Sequence, residues 1–241
     1  MAYTTCVVFG AGEYYDSPYY LPGDAFVVAA DGGYDHAREL GVHVNVVVGD
    51  FDSTEETRQH IDAETVALPP EKDDPDLLSA LKVGWNNGAR EFHIYGGLGG
   101  RVDHTISNIQ QLALVASHGG IAYLHGNGQI VTAIHDSTLT FPTHEVSRTQ
   151  YVSVFAHTDT ATGVCERGLK YELNDAQLNN LQVNGLSNEF VDSLEASISV
   201  AHGMLTIVFD DTSPLPRLTG AQPHGSLGEP STSVSSALSH R

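Results

Sequence analysis

The sequence predicts an α/β fold in which a Rossmann-like, mostly parallel sheet domain is followed by an antiparallel β-sandwich domain. In the first half, short β-branched runs alternate with helical patterns, as in β-α-β units. After about Gln129 the pattern changes to short alternating runs that are typical of antiparallel strands. A chain of 241 residues is long enough for two modest domains. We therefore expect an α/β domain at 1–128, a β-sandwich domain at 129–211 and a disordered tail at 212–241.

The first domain is expected to contain six strands, each followed by a loop rich in Gly, Asp or Pro. The predicted strands are 6–9, 25–30, 44–48, 65–68, 91–95 and 121–124. One helix should begin at Asp74 and Pro75, because Asp is a good N-cap and Pro suits the first helical position, and it should end before Gly88. A second helix is predicted from about Asp103 to Ser117. Trp85 lies within the first helix and is expected to pack in the core.

The second half contains shorter strand patterns. They cover 151–155, 169–173, 197–200 and 205–209. The last two are joined through His202 and Gly203, which predicts a hairpin. The final segment, 212–241, is crowded with Ser, Pro, Gly and Thr and has no apolar period, so it is expected to be disordered.

Composition restricts the possible partners. Eleven Lys and Arg against thirty Asp and Glu give a formal charge of −19, which repels nucleic acids and anionic membranes. No apolar run approaches the roughly 20 residues that a membrane span needs, and the first residues do not resemble a signal peptide, so we expect a cytoplasmic protein. Cys6 and Cys165 are predicted to be reduced thiols without a metal. A nucleotide ligand would require divalent cations between its phosphates and the protein's carboxylates.

Carboxylates follow two of the predicted strands. In an open parallel sheet, ligands bind beyond the carboxyl ends of the strands. Asp50 and Asp52 are two residues apart after the third strand, a spacing that lets both side chains share a hard cation, although Asp52 and Ser53 also suit a helix start. Asp73 and Asp76 follow the fourth strand. Four carboxylates at one end of a sheet indicate a cation, because their mutual repulsion would otherwise be unfavourable.

A glycine-rich loop follows the fifth strand, at residues 96–104. Its glycines let the backbone approach a bulky anion, and the N–H groups before a helix can hold phosphate. Arg101 adds a planar cation, which strengthens the phosphate interpretation. His104 either contacts a ligand or hydrogen-bonds within the helix start.

Other common nucleotide and metal motifs do not fit. Gly10 and Gly12 follow the first strand, but Tyr15 replaces the last glycine of the dinucleotide fingerprint. The sequence has no Walker A pattern and no H-E-x-x-H zinc motif.

The ordered set of motifs resembles that of thiamine pyrophosphokinases over about residues 5–210. The shared motifs are Asp31-Gly32-Gly33, Gly49-Asp50-Phe51-Asp52-Ser53, Lys72-Asp73-Asp74-Pro75-Asp76, Gly96-Gly97-Leu98-Gly99-Gly100-Arg101-Val102-Asp103-His104, Gly168-Leu169-Lys170-Tyr171 and Leu186-Ser187-Asn188-Glu189. Pro75 stands where the family pattern K-D-x-T-D has Thr, so a contact made by that hydroxyl would be missing here. The resemblance implies a catalytic nucleotide-binding α/β domain, a thiamine-binding β-sandwich, a homodimer and thiamine bound between subunits.

The same resemblance implies a role for each motif residue in a Mg²⁺-dependent transfer of the pyrophosphoryl group from ATP to thiamine. Metal ligands and catalytic groups would be Asp50, Asp52, Asp73 and Asp76. ATP would be bound by Asp31, Gly32, Gly33, Ser53, Lys72, Gly99, Gly100, Arg101, Asp103 and His104, and thiamine by Ser187 and Asn188. Two alternatives remain open from the residues: a Mg²⁺-dependent phosphohydrolase, which the second domain disfavours, and a nucleotide-binding module without turnover.

Overall fold

The computed structural model describes residues 3–50, 61–69 and 71–234. In chain order the first half contains β1 (Thr5–Phe9), β2 (Phe26–Ala30), α1 (Gly33–Glu39), β3 (Val46–Gly49), β4 (Glu64–Ala67), α2 (Asp76–Asn86), β5 (Glu91–Tyr95), α3 (Val102–Ser117) and β6 (Ile121–Gly126). The second half contains β7 (Gln129–His135), β8 (Thr138–Phe141), β9 (Tyr151–Ala156), β10 (Thr160–Arg167), β11 (Leu173–Asn179), β12 (Asn188–Glu189), β13 (Ala196–Ser199), β14 (Met204–Asp210) and β15 (Arg217–Thr219).

The strands form two sheets. The larger has ten strands in the order β12-β9-β14-β7-β6-β5-β1-β2-β3-β4, and the smaller has five in the order β11-β10-β13-β8-β15. Strands β6, β5, β1, β2, β3 and β4 are parallel, whereas β7, β14, β9 and β12 are antiparallel. The predicted α/β and β-sandwich architecture is confirmed. Because β7 pairs with β6, one sheet continues across residue 128 and is shared by both predicted domains.

Alternating residues of the parallel strands bury two faces. In β1, Cys6 and Val8 belong to one apolar cluster, and Val7 and Phe9 to another on the opposite face. The first cluster includes residues of α2 and α3, and the second includes Ala37 of α1. Helices therefore cover both faces of the parallel part. Trp85 is buried in the first cluster, which confirms its predicted core position.

The antiparallel part of the large sheet packs against the small sheet. Side chains from both sheets meet in one apolar cluster, which includes Ile134, Phe141, Val154, Ile198 and Phe209. The predicted hairpin at 202–203 is wrong, because β13 pairs with β8 and β10 in the small sheet while β14 pairs with β7 and β9 in the large one. The turn carries the chain from one layer of the sandwich to the other. The predicted strand 169–173 is also wrong, since β11 begins only at Leu173.

The predicted disordered tail is partly ordered. Residues 217–219 form β15, which pairs with β8, and residues 220–234 run along α2 and α3. The prediction of disorder is wrong for residues 212–234, because most of their contacts use backbone groups, polar side chains and a single buried leucine, Leu227, which produce no apolar period. Residues 235–241 lie outside the described part of the chain. No helix within the described ranges has the length and apolar character needed to cross a membrane.

Candidate active site

A cavity of about 600 Å³ lies at the carboxyl ends of the parallel strands. The loops after β1, β2 and β5 and the start of α2 surround it. The lining residues are Gly10, Ala11, Gly12, Glu13, Ala30, Asp31, Pro75, Asp76, Leu77, Gly96, Gly97, Leu98, Gly99, Gly100, Arg101, His104 and Asn108. This is the sheet edge at which the sequence predicts a ligand, and its volume suits a small organic molecule.

Two glycine loops form one wall of the cavity by direct backbone contact. Gly10 N–H donates to Tyr95 O at 2.8 Å, and Gly12 N–H donates to Gly96 O at 2.9 Å. A Cβ at Gly12 would collide with the Gly96 carbonyl oxygen. These two loops can therefore approach each other only with glycine at that position. The sequence interpretation tested the loop after β1 only against the dinucleotide fingerprint and rejected it, although the loop follows a parallel strand and satisfies the same rule as the other loops.

The second glycine loop bends through left-handed backbone conformations. Gly96, Gly99 and Gly100 have φ values of +70°, +86° and +62°, which favour glycine. Asn108 of α3 donates from Nδ2 to Gly97 O at 2.8 Å and so ties the loop to the helix that follows. The sequence interpretation missed Asn108. Its only signal in the sequence is that a polar residue stands on the buried face of the helix.

Arg101 and Asp103 form an exposed pair where α3 begins. Arg101 Nε donates to Asp103 Oδ1 at 3.1 Å and Nη2 donates to Oδ2 at 2.6 Å. The hydrogen bond from Arg101 lowers the pKa of Asp103. Arg101 and His104 line the cavity, whereas Asp103 does not and acts on it by orienting the guanidinium. The structure thus brings four of the residues predicted to bind ATP in this loop, Gly99, Gly100, Arg101 and His104, to the cavity.

Carboxylates also line the cavity, at Asp31 and Asp76. Burial, a hydrogen bond with Asp76 and the negative charges of Asp76 and Asp50 raise the pKa of Asp31 to about 7. Lys72 opposes this effect, and its ammonium lies 2.8 Å from Asp76 Oδ1. The Lys72 side chain is only 6% exposed. Asp31, Asp50, Lys72 and Asp76 therefore form one interacting group at the ends of β2 and β3 and the start of α2.

The remaining predicted residues of this domain lie elsewhere. Gly32 and Gly33 begin α1 without lining the cavity, and a Cβ at Gly33 would collide with the Phe9 carbonyl oxygen. Asp73 is exposed and its N–H donates to Ser233 O at 3.3 Å. Asp52 and Ser53 lie outside the described residues. Within residues 3–50, 61–69 and 71–234, no group of three or more His, Cys, Asp or Glu side chains could hold a metal ion.

Asp74 does not cap α2, contrary to the sequence interpretation. The N-cap position is Pro75, which has no side-chain capping bond. The Asp74 carboxylate instead accepts hydrogen bonds from Lys82 Nζ at 2.6 Å and from Ser231 N–H at 2.7 Å. It is thus part of a contact between α2 and the C-terminal segment.

Ser187 and Asn188 lie in the sandwich part of the chain and do not line the cavity. Asn188 Oδ1 accepts from the N–H groups of Tyr171 and Glu189, and Nδ2 donates to Glu166 Oε2 and to Tyr171 O, both at 2.7 Å. These four bonds use the full capacity of an amide side chain. Asn188 thus has no polar atom left for a ligand, whereas Ser187 is exposed.

The comparisons with known proteins agree with this arrangement. The family model for the catalytic domain of thiamin pyrophosphokinase matches residues 18–123, and the model for its vitamin B1 binding domain matches residues 138–205. The chain is 28% identical over 191 residues to a thiamine pyrophosphokinase of Bacillus subtilis, a match that covers 75% of this chain and 85% of the relative.

Solved structures show the same fold. The crystal structure of thiamin pyrophosphokinase from Geobacillus thermodenitrificans superposes with a TM-score of 0.72 at 25% identity, covering 86% of this chain and 97% of that one. The enzyme from Candida albicans superposes with a TM-score of 0.67 at 14% identity, covering 86% of this chain and 89% of that one, which shows the fold alone. With its cavity at the ends of the parallel strands and matches to both characteristic domains, the chain belongs to the thiamin pyrophosphokinase family.

Proposed function

We propose that this protein is a thiamine pyrophosphokinase, which transfers the pyrophosphoryl group of ATP to the hydroxyethyl arm of thiamine and releases thiamine diphosphate and AMP. The observation that carries the proposal is the cavity, which is lined both by carboxylates, Asp31 and Asp76, and by a glycine loop with Arg101, in a chain that matches both domains of the family. The carboxylates suit a cation and the glycine loop suits phosphates.

ATP would place its phosphates against the glycine loop. Gly99 and Gly100 permit the left-handed backbone of this loop, and Arg101 supplies a cation whose direction Asp103 controls. His104, three residues after Arg101, also lines the cavity. The formal charge of −19 makes such local positive groups necessary for an anionic substrate.

Mg²⁺ is the cation that we propose for the carboxylate side. Two carboxylates fit it, because Mg²⁺ is usually held by one or two carboxylates together with substrate phosphates, and Asp50 and Asp76 carry the hard oxygen ligands that it prefers. Burial, the hydrogen bond with Asp76 and the negative charges of Asp76 and Asp50 raise the pKa of Asp31, so these carboxylates lie close together. Asp50 and Asp76 would hold the ion, with Asp52 and Asp73 as further candidates. When bound, the ion would neutralise charge on the phosphate oxygens. Lys72, beside Asp76, would fix the direction of that carboxylate.

Thiamine would be bound between two subunits of a homodimer. Ser187 is exposed on the sandwich, far along the large sheet from the parallel strands, and exposed apolar side chains surround its segment. They are Tyr151, Tyr171, Leu181, Val183 and Leu186. An apolar surface of this kind is typical of a protein contact. Asn188, whose amide is fully bonded, would shape this segment without contacting thiamine.

Positioning and charge stabilisation would do most of the catalysis. The thiamine hydroxyl attacks the β-phosphorus of ATP, AMP leaves with the bridging oxygen, and a carboxylate of the Asp50 and Asp76 group takes the hydroxyl proton. The cytoplasm is the proposed location, since Cys6 and Cys165 are free thiols.

The test is incubation of the purified protein with ATP, Mg²⁺ and thiamine, followed by chromatography. The proposal predicts AMP and thiamine diphosphate in equal amounts. Release of phosphate independent of thiamine would favour a phosphohydrolase, and nucleotide binding without any product would favour a binding module. Either result would refute the proposed function.

A further inference from the structure

Residues 220–234, named here the C-terminal strap, reach from the carboxyl ends of α2 and α3 to the loop before α2. Trp85 Nε1–H donates to Gly225 O at 3.4 Å, and Lys82 Nζ donates to Glu229 O at 3.2 Å. Ser231 N–H then reaches Asp74, before the helix begins. The strap therefore runs antiparallel to α2, from its carboxyl end to its amino end.

The strap is docked by burial as well as by hydrogen bonds. Leu227 is 8% exposed and belongs to the apolar cluster that contains Trp85 and Leu112. His224 N–H donates to His118 O at 3.0 Å, and the two imidazole rings are stacked. A segment with these contacts has a defined position on the protein.

The end of the strap reaches the acidic loop that precedes α2. Ser231 N–H donates to Asp74 Oδ2 at 2.7 Å, and Asp73 N–H donates to Ser233 O at 3.3 Å. Asp74 is 9% exposed, and its Oδ2 also accepts from Lys82 at 2.6 Å. A buried carboxylate with two donors on one oxygen is a firm attachment point, because moving it would leave a buried charge without partners.

Residues on both sides of this attachment belong to the proposed site. Lys72 precedes Asp73, and Asp76, which lines the cavity, follows Pro75. The Lys72 ammonium and the Asp76 carboxylate are paired at 2.8 Å. Displacements of about 1 Å in such groups are sufficient to lower turnover strongly. The strap therefore holds the loop that carries Lys72 and leads into Asp76.

We propose that the C-terminal strap is a positioning element for nucleotide binding, which acts through the Ser231 N–H bond to Asp74 on Lys72 and Asp76. This inference rests on the proposed function for the identity of the nucleotide. The strap lies outside both ranges matched by the family models, the second of which ends at residue 205.

Two substitutions at one position isolate the bond. Ser231→Pro removes the backbone N–H that donates a hydrogen bond to Asp74. Ser231→Ala keeps this N–H and removes only the hydroxyl. Affinity for a non-hydrolysable ATP analogue with Mg²⁺ is measured by calorimetry, beside kcat and KM for ATP. We expect Ser231→Pro to weaken analogue binding and raise the KM for ATP about tenfold, and Ser231→Ala to change both by less than about twofold.

Trp85 reports whether the strap is docked, because it is the only tryptophan of the chain and donates to Gly225 O. Its emission should be unchanged in Ser231→Pro. Leu227→Asp should undock the strap, shift the emission to longer wavelength and weaken analogue binding as Ser231→Pro does. Both variants are checked for retained secondary structure by circular dichroism.

Two results would overturn the inference. One is equal analogue affinity in Ser231→Pro and Ser231→Ala, and the other is a shifted Trp85 emission in Leu227→Asp with wild-type analogue affinity. Failure of the proposed function is distinguishable, since the wild type would then form no thiamine diphosphate while the difference in analogue affinity between the Ser231 variants remained.

Discussion

At the scale of single residues, Asp31 is the most informative side chain of the candidate site. It follows β2 with a positive φ of 48°, and its N–H donates to Val48 O at 2.9 Å. Burial and its neighbours Asp76 and Asp50 raise the pKa of its carboxyl group to about 7. Asp31 thus keeps its proton up to a much higher pH than an ordinary Asp as long as no cation balances the neighbouring carboxylates.

Binding of Mg²⁺ should lower the pKa of Asp31. A nearby cation favours the ionised carboxylate, so we expect a downward shift of at least about one unit at saturating Mg²⁺. Carboxyl-carbon NMR over a pH series measures it, with Asp31→Asn to assign the signal and NaCl at equal ionic strength as the control. An unchanged pKa at saturating Mg²⁺ would contradict a metal ion beside this group.

Asn188 shows a limit of sequence interpretation at the same scale. The motif 186–189 indicates a ligand contact, but it cannot tell which way an amide side chain points. In the structure Asn188 is 7% exposed and joins Glu166 to the backbone of Tyr171. Burial raises the pKa of Glu166, and the hydrogen bond from Asn188 opposes that effect.

Replacing Asn188 by Ala should destabilise the fold. The change leaves the buried Glu166 carboxyl group and the Tyr171 N–H without this partner, which costs about 1–3 kcal/mol in free energy of unfolding. Urea unfolding measures the loss, and Ser187→Ala is the matched control because its side chain is exposed. Equal stability of the two variants would show that Asn188 does not hold this segment.

At the scale of elements, the loops after parallel strands could be located from the sequence. Strand β5 was predicted with the bounds that the structure shows, Glu91–Tyr95, because its β-branched and aromatic run lies between clear loop signals. The hairpin at 202–203 was not predictable, since a Gly turn serves equally to join paired strands and to cross between sheets. The docking of residues 220–234 could not be predicted either, because a backbone carbonyl of any residue can accept the hydrogen bonds that hold this segment on α2.

The glycine loop after β5 yields a test at this scale. Gly99 and Gly128 both have positive φ, but a Cβ at Gly99 would collide with Tyr15 Oη, whereas one at Gly128 meets nothing within 4 Å. We expect Gly99→Ala to raise the KM for ATP at least about tenfold and Gly128→Ala to leave it unchanged, at a similar backbone cost of about 1 kcal/mol. Steady-state kinetics and urea unfolding separate the two effects. An equal KM in both variants would remove this loop from the nucleotide site.

At the scale of the whole molecule, the proposed substrate residues are divided between two parts of one large sheet. Asp76 lines the cavity at the parallel end, whereas Ser187 lies beside β12, the edge strand at the other end. The order of motifs in the sequence predicts a nucleotide part and a thiamine part. The sequence alone cannot show that Asp76 and Ser187 lie far apart within one chain, because their separation follows from the strand order of the large sheet.

Hybrid dimers should therefore regain activity if the site is shared between subunits. Asp76→Asn should lower turnover about a hundredfold, and Ser187→Arg should exclude the cationic thiamine. Mixing equal amounts should restore about a quarter of wild-type activity, because half of the dimers then carry one intact site. Subunit exchange is verified by native mass spectrometry with one labelled subunit. Verified exchange without any recovery would place the whole site within one chain.

The central claim is that the cavity at the ends of the parallel strands supports attack on the β-phosphorus of ATP. A γ-phosphorus attack would need the same Asp and Arg groups, so the product decides between them. The measurement is a single turnover with thiamine and ATP labelled at the γ-phosphate, separated by chromatography. We predict that the label appears in thiamine diphosphate as its terminal phosphate, together with unlabelled AMP. Labelled thiamine monophosphate with ADP, or label only in free phosphate, would contradict it.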